Sequence, residues 1–422
     1  MKENEKKQKP DVGKIFLEEL TGTGPVKNKK KNRNQTVLIA FLAIVTGLII
    51  GALFIMFTSV SVYDAFKTSF GAGIVEAFSV VGRAYGGLLT GAFGNPYTVI
   101  TAFSSGNALA IRQAFRPITE SLVTATPYIF AGLALALGFR AGVLNIGAEG
   151  QVFMGAVLAT YLGYSITGLP AIIHIPIALL GGAVGGAIWG FIPGWLKAKT
   201  GAHEVITCIM MNYIAFRLSD FLLMGPMKRP GTPNPVSPTI QPSAWLPKFF
   251  ADPIRLHLGF FIALAVAALV YWLLFKTTWG FNFRTVGSNP FAAKYAGINV
   301  ARNIMIAMAV SGALAGLAGA NDVLGVNHSL SQSFSSGYGF DSIALALLGN
   351  SHPVGVVFAA LLFGTLRSGA ISMQLASGIP PDIISVIQAI ILMFIAAPAI
   401  IRTIYRLKEP SKIEEEIARK EA

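Results

Sequence analysis

The chain has 422 residues, of which 53% are hydrophobic and only 13% charged, with a formal net charge of +13. Ordinary soluble domains carry about 25% charged residues, and several uncharged runs here reach the roughly 20 residues that cross a bilayer core. The runs are too long, and the period-2 alternation too weak, for a membrane β-barrel. This composition specifies an all-α polytopic membrane protein. The positive charge then reads as Lys and Arg excess on cytoplasmic loops, not as a nucleic-acid surface. Cys208 is the single cysteine, so no disulfide can form within the chain.

Residues 1–35 form a Lys-rich tail ending in the run Lys27–Arg33, a positive anchor on the cytoplasmic side that can also meet anionic lipid. The first span, Thr36–Phe57, is too long and too far from the start for a cleavable signal. Residues 58–119 are mixed and Gly-rich, and read as surface or partly embedded helices. Spans follow at Glu120–Phe139, Val143–Ile166, Pro170–Leu196 and Val205–Met224. Residues 226–253 then hold eight of the 22 prolines. Proline fixes φ and lacks a donor, so this is an ordered extracellular loop or lid, although its Lys228, Arg229 and Lys248 run against a strict positive-inside count.

The next span is Leu256–Phe275, followed by a cytoplasmic loop at 276–302 and a span at Asn303–Val323. Gly339–Asn350 is a shorter helix that breaks at Gly349–Gly355. Val356–Gly369 and Ile383–Ile401 complete about ten transmembrane or broken helices in a permease domain covering 36–405. An even count puts both termini on the cytoplasmic side, with 406–422 as a second tail and Glu414–Glu416 in a solvated helix. Small residues at Gly181–Ala187 and Gly312–Ala320 let helices approach closely in lipid. No internal repeat is visible.

One stretch carries most of the chemistry. Between Ala141 and Leu196 the only formally charged side chain is Glu149, where an intramembrane charge costs roughly 2.5–3.5 kcal/mol on insertion scales. On a helix, Asn145 and Glu149 would share a face, and Gly142, Gly147 and Gly150 would admit a neighbouring backbone. Asn145, Glu149, Gln151, Asn212 and Asn350 are the substrate-path candidates, with Asn321, Asp322 and Gln374 also polar in or near apolar spans. A structural bond from Glu149 to Arg140, or to an amide of a facing helix, competes with solute contact. Phe153, Tyr161 and Tyr164 could stack on a base, or simply pack.

The loop at 276–302 contains Lys276, Arg284, Lys294 and Arg302 and no acid, so charge and alternation both place it in the cytoplasm. Within it the sequence writes a two-turn helix. Ser288 or Asn289 can cap it, Pro290 fits its first turn, Phe291, Ala292, Ala293, Lys294 and Tyr295 continue it, and Gly297 fits the position past its end. A short capped helix there suits docking onto another protein. There is no nucleotide-binding phosphate loop, no metal-ligand spacing among the five histidines and no readable catalytic triad, so the chain reads as a non-enzyme.

The segments Gly142–Ala156 and Gly287–Ile298 together resemble the membrane permease subunits of bacterial ABC importers. More narrowly, they resemble the branch related to ribose and branched-chain amino-acid permeases that serves nucleoside uptake with a basic-membrane-protein-type lipoprotein receptor. The similarity covers most of 72–405. Ala292, Ala293 and Gly297 match the importer pattern E-A-A-x-x-x-G, while Phe291 replaces its acid. The resemblance implies a type II-like importer bundle in the bacterial plasma membrane. It also implies a separate ATPase subunit that uses ATP, a second permease, identical or homologous, and an extracellular solute-binding lipoprotein. No cofactor is implied on this chain. A sugar or branched-chain amino-acid permease is the nearest alternative. An ion-coupled carrier would need several intramembrane ionisable groups, where this reading finds Glu149 and few others, and a passive channel would not need a docking helix.

Overall fold

A computed structural model describes residues 33–407 other than 333, so both tails beyond them, including most of the Lys27–Arg33 run and the Glu414–Glu416 helix, lie outside the described residues. The described chain is helical, with two isolated bridges and no named strand. Among the described residues seven helices are long and apolar enough to cross a membrane, or eight if one sharply bent pair counts as a span.

Two units are present, one built from residues up to Val81 together with those from Asp382, the other from Gly82–Pro381. In the first, α1 (Arg33–Thr58) packs against α15 (Asp382–Ala396) through Ile39, Ala43 and Phe394. Helix α2 covers Val60–Thr68, and α3 (Phe70–Phe93) runs across the boundary of the two units. The expected straight span at 383–401 is bent by 88° between α15 and α16 (Pro398–Ile404). Pro398 stands at the first turn of α16, where its missing N–H costs nothing.

In the second unit, α4 (Pro96–Ser105) leads into α5 (Ala108–Arg140). Every residue from Ala125 to Gly138 of α5 is buried, as a helix apolar on all sides requires. Around it stand α6 (Ala148–Ser165), α7 (Ala171–Thr200), α8 (Glu204–Met224) and α9 (Gly259–Lys276). Next come the short α10 (Thr278–Ser288) and α11 (Pro290–Tyr295), then α12 (Val300–Asp322), a π-turn at Val323–Asn327, α13 (Tyr338–Leu348) and α14 (Pro353–Ser377). The small-residue runs meet where α7 crosses α12: a Cβ on Gly186 would lie 2.1 Å from the Gly312 carbonyl oxygen.

The expected helix over 143–166 begins only at Ala148. Residues 141–147 form turns instead, and Gly142 has φ +73°. Asn145 and Glu149 therefore do not share a helix face. At one end of this unit the Pro-rich stretch is ordered by backbone bonds to the π-turn and the residues after it: Ser237 N–H to Leu330 O, Ile240 N–H to His328 O and Leu246 N–H to Leu324 O, at 2.9, 2.9 and 3.0 Å. Trp245 stacks on His328 with ring centres 4.1 Å apart. This clasp marks the end opposite to α10 and α11.

Candidate functional site

Residues 328–332 and 334–337 lie between the clasp and α13. Ser331 pairs with Val236 of the clasp, Phe334 packs on Phe153 of α6 at 4.9 Å, and α13 starts beside Glu149. An irregular stretch and a half-length helix thus make one broken crossing. Irregular backbone is tolerated at such depth only where protein or a water-filled cavity surrounds it, and broken helices of this kind place solute sites in many transporters.

Glu149, in the first turn of α6, is 3% exposed. Its Oε2 accepts a hydrogen bond from the Gly339 N–H at 2.6 Å. The carboxyl group thereby closes the amide-rich start of α13, which favours an acidic partner. Only glycine fits opposite: a Cβ on Gly339 would lie 2.2 Å from the Glu149 backbone nitrogen. Of the two structural partners expected for Glu149, the helix amide is the one present. Arg140 instead donates from Nε to Ser351 O at 2.9 Å and from Nη2 to Asn350 O at 3.2 Å.

Two residues on, still in the first turn of α13, Tyr128 Oη donates to Asp341 Oδ2 at 2.9 Å. Arg367 of α14 approaches the same oxygen at 3.6 Å and donates to Ser336 O at 3.1 Å. Asp341 and Arg367 are each 32% exposed, although Arg367 lies near the middle of α14, roughly 20 Å from its start at about 1.5 Å per residue. Phe153 packs edge-on between Phe216 and Phe334. The polar groups where α13 begins are thus partly open, a recess defined by the exposure of Asp341 and Arg367.

Asn145, Gln151 and Asn212 hold the segment that carries Glu149. Asn145 and Gln151 exchange two side-chain bonds, at 2.7 and 2.9 Å. Asn145 Nδ2 also donates to Ser311 Oγ, which donates to Ala134 O. Asn212 accepts from Gly150 N–H and donates to Ile146 O, at 2.9 and 3.0 Å. All three are buried, and burial without such bonds would be costly. Asn350 stands apart from this group, with Arg140 at the end that carries α10 and α11.

At that end the sequence-written helix appears as α11. Asn289, not Ser288, is its cap, accepting from Phe291 and Ala292 N–H at 3.0 Å each; Ser288 is the last residue of α10. Pro290 opens the first turn. Gly297 has φ +80°, and the N–H groups of Gly297 and Ile298 bond to Lys294 O and Ala293 O, the paired closure that a left-handed residue after the helix permits. Ala293 is buried, while Ala292 and Lys294 are exposed. Phe291 and Tyr295, one turn apart, are 78% and 95% exposed. Helix α10 meets the end of α5 backbone to backbone: a Cβ on Gly142 would lie 2.7 Å from Gly287 Cα.

A family profile described as "Branched-chain amino acid transport system / permease component" matches residues 117–396. This chain belongs to that family. Among its relatives, the guanosine ABC transporter permease protein NupP of Bacillus subtilis is 38% identical over 88% of this chain and 96% of its own length. The nucleoside ABC transporter permease protein NupB of Lactococcus lactis is 37% identical over 81% and 95%. The glucose ABC transporter permease protein TsgB13 of Haloferax volcanii is 37% identical over 66% and 75%. No solved structure matches. As a member of this permease family the chain is a multi-pass membrane protein and a transport component.

Four charged groups on apolar helices of this permease were not singled out from sequence: Asp341, Arg367, Arg217 and Asp220. Their signal was legible, since each interrupts an apolar helix. Their number also exceeds the expectation of Glu149 and few others.

Proposed function

We propose that this chain is the permease subunit of an ATP-driven importer of nucleosides, with the solute passing the recess at the start of α13. The observation that carries this reading is the broken span closed by Glu149 beside the partly open Asp341–Arg367 pair. Two carboxyl groups against one guanidinium suit a neutral, hydroxyl-rich solute better than an anionic one. The hydroxyls and base edge of a nucleoside are complementary to these groups in hydrogen-bonding capacity. The likeness to NupP and NupB over most of their length supports nucleosides.

The driving force comes from outside the chain. A separate ATPase subunit docks on α11 through Phe291, Lys294 and Tyr295, placing that end and both termini in the cytoplasm of a bacterial cell. Its closure on ATP moves α10. Gly287 pushes on Gly142, the 141–147 turns move as one piece held by Asn145, Gln151 and Asn212, and the Glu149–Gly339 contact carries the shift to the recess. A second permease closes the open side of the recess, and a solute-binding lipoprotein delivers cargo at the clasp. Uptake of labelled guanosine, cytidine and glucose by the transporter reconstituted with its ATPase, second permease and receptor tests the substrate. ATP-dependent nucleoside uptake is the expected result; preference for glucose would overturn it in favour of the sugar reading that TsgB13 represents.

A further inference from the structure

Helices α7 and α8 each expose an apolar stripe, yet the two stripes differ in one respect. On α7 the exposed large residues Leu180, Val184, Ile188, Phe191 and Trp195 recur at helical spacing, with no charged side chain before Lys197. That is a face suited to lipid. On α8 the exposed residues Ile206, Met210, Tyr213, Ile214, Phe221 and Met224 make a similar stripe, but Arg217 lies within it with its side chain 85% exposed.

Arg217 is poorly placed to escape to a membrane surface. It stands about 20 Å from the start of α8 and about 10 Å from its end at 1.5 Å per residue. Its Cα–Cβ bond tilts toward the helix start, away from the nearer end. Asp220, one turn on, is 3.6 Å away and only 30% exposed, and its other oxygen already accepts from Gln332 at 2.9 Å. A guanidinium so placed is disfavoured against lipid and needs a protein acceptor. The stripe also borders the recess, because Phe216 of the same helix packs on Phe153.

We propose that the exposed face of α8 is the seam on which a second permease of this family packs, with Arg217 answered by a carboxylate of that partner. This rests on the two-permease assembly proposed above, and it assigns the face and the residue that make the contact. The apolar residues of the stripe supply the packing and Arg217 supplies register, since only a partner with an acid at the matching height satisfies it.

The test uses the full transporter in its membrane, with a photo-crosslinking amino acid replacing Ile214 on α8 or Ile188 on α7. The expected adduct at position 214 is the second permease, and at 188 it is lipid. Lipid at 214, or an adduct within the chain itself, would overturn the seam. A second measurement compares Arg217→Leu with Arg217→Lys by recovery of the second permease on purification. The seam requires at least a tenfold loss for Leu and retention for Lys; equal or better recovery with Leu, as a lipid-facing site would give, overturns it. Failure of the wild type to retain any second permease would overturn the assembly and the seam together. Neither readout depends on which solute is carried, so an error in the nucleoside assignment leaves it intact.

Discussion

Gly287→Ala tests the route from the docking helix to the recess at its narrowest point. A Cβ there would lie 2.3 Å from Arg140 O and 2.7 Å from Gly142 N, against ordinary contacts of 3.4 Å or more. Every neighbour is backbone, so no side chain can swing aside, and the segments must part by about 1 Å, an overpacking strain of ~1–3 kcal/mol. The intrinsic helix preference works the other way, favouring Ala over Gly by ~1 kcal/mol. At Gly82 of α3, where a Cβ meets nothing within 4 Å, Ala is therefore expected to be neutral or stabilising. Parallel assays of ATP hydrolysis and uptake in proteoliposomes separate the outcomes. The expected result for Gly287→Ala is hydrolysis within threefold of wild type, with uptake reduced at least tenfold. Wild-type uptake at normal protein levels would refute transmission through this contact.

Glu149→Ala leaves the Gly339 N–H without its acceptor, a loss of ~1–3 kcal/mol, read as a lowered melting temperature of the detergent-solubilised transporter. Glu149→Gln keeps an acceptor oxygen and is expected to lose less. Phe291→Ser with Tyr295→Ser should leave membrane insertion intact and abolish co-purification of the ATPase; unchanged co-purification would count against α11 as the docking element. His257 gives a pH signature at the clasp end. Burial, reinforced by the positive neighbours His328, Arg255 and Lys248, pushes it down to about 4. The unfolded chain binds that proton first as pH falls, so the stability from the neutral ring is complete above about pH 6.5 and lost on acidification toward pH 4, by ~3 kcal/mol in all. His257→Asn, which can still accept the Gly259 N–H bond made by Nδ1 at 3.1 Å, should flatten the melting temperature between pH 6.5 and 4.

Helix α11 was legible almost residue by residue, because Asn289, Pro290 and Gly297 act locally on backbone capping. Most spans were legible for the same reason: apolar length is a property of one segment at a time. The start of α6 was not, since 141–147 continue the apolar run but are held as turns by Asn145 and Gln151 together with Ser311 and Asn212, which lie far off in sequence. The 88° bend before Pro398 was overlooked although proline marks it. The recess lay hidden because Tyr128, Asp341 and Arg367 come from three helices, and nothing in any one of them announces the others.

Transport by the purified chain, with and without its proposed ATPase and second permease, in vesicles loaded against a nucleoside gradient, decides whether the driving force lies outside this chain. Uphill accumulation is expected only when all subunits and ATP are present. Accumulation against the gradient by this chain alone, with no nucleotide-hydrolysing partner, would contradict it.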